Sequence, residues 1–93
     1  MDTVEARLVL AERLAHYRTL SYADLVTRVD SVECEEVASS DQKLWQLEFQ
    51  FFWDNKPNGD IRVTGAIDNG GIRAFFPVTD SFIKAPNGEF IGE

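Results

Sequence analysis

His16 and Cys34 are the chain's one histidine and one cysteine, the two side-chain types that most often serve as general base or nucleophile near neutral pH. Neither comes with the partners such chemistry needs. Helical spacing puts His16 on the polar side of the first helix, and the chain offers no obvious catalytic partner for it. Strand parity puts Cys34 on an inward face, where apolar surroundings keep a thiol protonated and the residue acts as a small hydrophobe. A lone cysteine makes no internal disulfide. Gly-rich phosphate loops, a nucleophile elbow and CxxC or HExxH spacings are absent from the sequence,. No catalytic residue is assigned, and the reading leans away from an enzyme.

Metal chemistry is weighed at two places. The stretch DNKPNGD offers Asp54, Asn58 and Gly59 at the first, fifth and sixth positions of a calcium loop, but Lys56 stands third and Gly65 twelfth. The charge is missing where such a loop needs it. A second possibility is an acidic row of Glu33, Glu48 and Asp68 across three strands on the outer sheet face. Three carboxylates can hold a hard cation, yet cross-strand like charges also occur as a solvated face, here relieved by Lys43 or Arg73. The expectation is no metal and no cofactor.

The elements that must position these groups follow from periodicity. Asp2 with Glu5, or Thr3, caps a helix whose core stripe reads as Val4, Leu8, Ala11, Leu14 and Ala15,. Ser21 with Asp24 repeats the capping pattern, so two helices are expected, at 3–20 and 22–30, as a helical hairpin. Beyond them the period becomes two. Trp45, Leu47, Phe49, Phe51 and Trp53 alternate with Gln46, Glu48, Gln50 and Phe52, the pattern of a strand with one buried face. Strands are expected at 32–38, 44–54, 60–68 and 72–78, with a C-terminal hairpin at 81–92.

Turn residues set the expected registers. A type I turn over Pro57 and Asn58 with Gly59 in the left-handed region would pair Trp53 with Val63 and Phe49 with Ile67. A type I′ turn over Asn69 and Gly70 would pair Ile67 with Ile72 and Val63 with Phe76. A turn near Ser40 and Asp41 would set Cys34 opposite Leu47. The expected fold is α+β, one domain over 1–93, with the helical hairpin on one face of an antiparallel meander of four or more strands.

In these registers Phe52, Thr64 and Phe75 form a row on the outer face beside Asp54, Arg62 and Arg73. Aromatics on a face that should be wet are covered by the C-terminal hairpin, through Phe82 or Phe90, or offered to a partner. The six residues are the interface candidates. The chain carries net charge −7 over 93 residues with nine Lys and Arg, which opposes nucleic-acid binding and suits solubility or a basic partner. There is no run of 18 apolar residues and no basic, apolar leader, so no membrane association and a cytoplasmic location are expected.

Function is therefore read as a small, acidic, non-catalytic protein-interaction or regulatory module, in concrete form an inhibitor, antitoxin or immunity-type protein against a basic partner. One alternative is a small-molecule-binding domain or small enzyme, with a pocket between helices and sheet lined by Tyr17, Tyr22, Trp45 and Trp53. Another is a homodimer through the outer sheet face.

Overall fold

The computed structural model describes residues 2–70 and 77–93. Helix α1 spans Thr3–Arg18, and the Asp2 carboxylate accepts the Val4 and Glu5 backbone N–H groups at 2.9 and 3.2 Å, satisfying donors that a helix start leaves open. Helix α2 is shorter than the expected 22–30. It covers Tyr22–Val26, capped by Ser21. After it the chain tightens through Arg28 N–H to Leu25 C=O and Val29 N–H to Val26 C=O bonds. Asp30, at φ 68°, then turns the backbone into the sheet, its N–H donating to the Phe51 carbonyl. A second full helix, and with it the helical hairpin, is replaced by one turn of helix and this reversal.

Four strands follow, β1 Val32–Ala38, β2 Leu44–Trp53, β3 Ile61–Asp68 and β4 Val78–Lys84, paired antiparallel in the order β1-β2-β3-β4. Alternation in β2 and β3 puts Trp45, Leu47, Phe49, Phe51, Ile61, Val63 and Ile67 into the core with Ala6, Leu10, Leu14, Leu25, Val78 and Phe82.

Each register differs from expectation for a local reason. Between β2 and β3 the ladder runs Trp53 with Ile61, Phe51 with Val63 and Phe49 with Gly65. That is a shift of two, which keeps every side chain on its expected face. The loop closes between Asp54 and Asp60, and Asn58 rather than Gly59 takes positive φ, with Gly59 N–H bonded to the Lys56 carbonyl. Pro57 followed by a left-handed residue is the signature of a type II turn, and the Tyr22 hydroxyl fixes it by donating to the Gly59 carbonyl at 2.7 Å. Between β1 and β2 the shift is one, so Cys34 faces Glu48 instead of Leu47. There Ser39 and Lys43 close a three-residue loop with Gln42 at φ 65°. A glutamine takes the left-handed place usually filled by glycine.

Ile67 pairs with Val78; the expected strand at 72–78, and with it the expected pairings of Ile72 and Phe76, lies outside the described residues except for its last two positions. After β4 the chain reverses at Ala85 to Glu89, with Gly88 at φ 89° and an isolated bridge between Lys84 and Phe90. This is the type I turn with a glycine bulge expected of the first Pro-Asn-Gly, found at the second.

The buried stripe of α1 is Ala6, Leu10 and Leu14, while Val4 and Leu8 are 68% and 67% exposed. The helix carries apolar residues on more than one arc, and the arc that wins fits the sheet. A Cβ on Gly65 would lie 2.7 Å from Leu10 Cδ1 and 2.9 Å from Phe49 Cε1, so glycine there lets the helix approach the strands.

Candidate protein interface on the outer sheet face

The one-residue shift turns the odd positions of β1 toward the helices, and two of them are glutamates. Glu35 accepts from Arg13 Nε at 3.0 and 3.1 Å. Glu33 accepts from the Tyr17 hydroxyl at 2.8 Å and pairs with Arg28. Burial first, then this donation to Glu33, pushes the Tyr17 phenol well above its ordinary value,. The bond to Glu35 likewise holds Arg13 above its ordinary value. The expected acidic row is therefore broken: Glu33 sits on the helix side opposite Phe49, Glu48 lies between Cys34 and Ala66, and Asp68 is opposite Gln46. Cys34 is exposed, not buried. Among the described residues no three His, Cys, Asp or Glu side chains gather as a metal-holding group.

The far end of the helix side is closed by the chain's own C-terminus. Arg18 lies 5.0 and 4.9 Å from the Phe82 and Phe90 ring centroids and bonds Glu93 at 2.6 Å. Buried Lys84 donates to the Arg18 and Leu20 carbonyls at 3.2 and 2.7 Å, a cation at a helix C-terminus. Phe82 and Phe90 meet edge to face at 5.8 Å. The C-terminal hairpin thus packs beneath α1 and does not cover the outer face by either phenylalanine.

Both helices lie on one side, so the outer face holds the even positions of β2 and β3 and their neighbours. Across the strands its rows read Phe52, Arg62, Ile83; then Val32, Gln50, Thr64, Ser81; then Cys34, Glu48, Ala66, Thr79; then Glu36, Gln46, Asp68. The face grades from an apolar end, with Phe52 at 36% and Val32 at 55% exposure, to an acidic one. Arg62 Nε donates to Asp54 at 2.8 Å and its Nη1 to the Ser81 hydroxyl at 3.2 Å. Phe52, Asp54, Arg62 and Thr64 therefore come together at this end. Phe52 is level with Arg62 and Thr64 with Gln50, one row from the expected pairing. Arg73 and Phe75 lie outside the described residues.

The four aromatic pocket candidates have other work. Tyr17 packs on Phe49 and Phe51 at 4.9 and 5.3 Å, Tyr22 holds the β2–β3 loop, and Trp53 rests against the core. Trp45 is buried and borders a polar cavity of about 490 Å³ shared with Asp2, Glu5, Ser40 and Lys43, at the start of α1 rather than between helix and sheet. A shallower cavity of about 270 Å³ lies by Asp30, Ser31, Val32, Gln50, Phe51 and Phe52. Sequence reasoning missed Val32, Glu36 and Ile83 as outer-face residues. The signal available was three glutamates in VECEEVA, a composition that suits a sheet edge.

No helix of the described residues is long and apolar enough to cross a membrane. Set beside known proteins, the chain matches no family model, no curated protein and no solved structure.

Proposed function

We propose that this chain is a small, acidic, non-catalytic interaction or regulatory module whose outer sheet face receives a basic protein, in the manner of an inhibitor, antitoxin or immunity-type protein. The observation that carries this reading is the division of charge between the two sides of the sheet. Of nine Lys and Arg, Arg13, Arg18 and Arg28 are engaged on the helix side by Glu35, Glu93 and Glu33, and Lys84 is buried against carbonyls. On the opposite face Glu48, Glu36 and Asp68 make the acidic end and exposed Val32 and Phe52 the apolar end, where Arg62 is tied to Asp54. Apolar anchors rimmed by charge are the ordinary anatomy of a protein interface, and a one-sided acidic field speeds encounter with a basic partner.

Affinity capture from the native host at low and high salt tests the reading. The expected result is a basic protein recovered at low salt and lost at high salt. Recovery of a partner whose retention is indifferent to salt contradicts it.

A further inference from the structure

We propose that the free edge of β1 takes an extended, basic segment of the partner as a fifth strand of the sheet. This rests on the basic-partner reading above and adds how the partner is held. In β1 the backbone groups alternate between β2 and solvent. The Ser39 N–H donates to the Lys43 carbonyl at 2.8 Å, and stepping by two along the antiparallel ladder makes Val37, Glu35 and Glu33 the residues bonded to Trp45, Leu47 and Phe49,. The N–H and C=O groups of Val32, Cys34, Glu36 and Ala38 consequently point away from β2. All four residues are exposed, and among the described residues no strand pairs with β1 on that side. Such a row is a template for strand addition, a recurring mode of peptide recognition.

Charge selects the occupant. Glu33 and Glu35 turn inward to Arg28, Tyr17 and Arg13, which leaves Glu36 on the outer face of the edge strand and Glu48 beside Cys34, with exposed Asp30 at the strand's start. A second copy would bring another chain of net charge −7 against this edge. A basic segment meets no such repulsion. Its outward side chains would border Val32, Cys34, Glu36 and Ala38 in turn. The cavity of about 270 Å³ beside Val32 and Phe52 has room for one apolar side chain at one end of the segment, and Glu36 faces a cationic one toward the other.

Amide hydrogen exchange of the whole chain with a synthetic peptide as long as β1, alternating arginine and valine, tests this directly. The expected result is slowing of exchange at Cys34, Glu36 and Ala38 by at least about tenfold. The slowing should disappear when the peptide's backbone nitrogens are methylated throughout, when glutamate replaces its arginines, or when salt rises from about 0.01 M to about 1 M and the screening length falls from about 30 Å to about 3 Å. Unchanged exchange at these amides with saturating arginine peptide overturns the proposal, as does equal slowing by the glutamate peptide. Protection that appears without peptide and grows with protein concentration assigns the edge to a second copy and overturns it too. If salt-sensitive capture of a basic partner succeeds while the edge amides exchange freely in that complex, strand addition fails and the basic-partner reading stands. If no basic partner is captured but the peptide protects the edge, the reverse holds.

Discussion

The two outer strands of this sheet end in opposite ways. At the end of β4 the chain folds back on itself, bonding Ile91 N–H to the Ile83 carbonyl and Ala85 N–H to the Glu89 carbonyl, and Lys84, Arg18, Phe82 and Phe90 lock that end beneath α1. Along β1 the odd positions are tied to the helices by ion pairs, and the even positions and the edge are left to solvent. The C-terminal end of β4 is packed against the chain's own helix, and the β1 edge is left to solvent. Substitutions at the first should therefore be felt in folding, and substitutions at the second in association.

The largest expected effect is at the closed edge. Phe82→Ala should destabilise the fold by about 3 to 5 kcal/mol, the range for losing a buried aromatic, measured by urea unfolding. A loss comparable to a surface substitution would mean that β4 is not locked. Next, Lys84→Met keeps the apolar stem and leaves the Arg18 and Leu20 carbonyls without their cation, at a cost of about 1 to 3 kcal/mol. The Tyr17 hydroxyl links α1 to β1, and Tyr17→Phe should cost about 1 kcal/mol near neutral pH. Because the folded phenol is raised above its ordinary value, the native state holds a proton that the unfolded state releases from about pH 10. This contribution is full below that pH and is lost as pH climbs toward the folded value. Alkaline unfolding curves of wild type should fall more steeply than those of Tyr17→Phe; parallel curves would remove the phenol's role. Smallest for stability is Glu36→Lys on the open edge, within about 0.5 kcal/mol of wild type, though it should abolish slowing by the arginine peptide.

Much of this division was legible in the residues and some was not. The alternation in LWQLEFQFFW assigned the faces of β2, and a register error of two at β3 did no harm because strand faces repeat every two residues. Phe52, Asp54, Arg62 and Thr64 were therefore found on the outer side. A shift of one at β1 was costly: it exchanged Cys34 for Glu33 and Glu35 on the helix side. The cause is Gln42 in a left-handed conformation, which no glycine or asparagine announces. The α1 stripe was misjudged because apolar residues occupy two arcs, and the choice between them depends on Gly65, a partner far away in sequence. The Lys84 lock has no local signature, since its acceptors are backbone carbonyls that only the fold brings near.

The exposed Val4 and Leu8 on α1 make the helix side the rival surface for a partner, so the deciding measurement compares two double variants in binding to the captured basic protein. The account predicts that Glu48→Lys with Phe52→Lys loses binding by at least about a hundredfold, as removal of an interface anchor and reversal of its charge should, while Val4→Lys with Leu8→Lys binds within a few fold of wild type. The opposite pattern, with binding lost through α1 and kept through the outer sheet face, would contradict it.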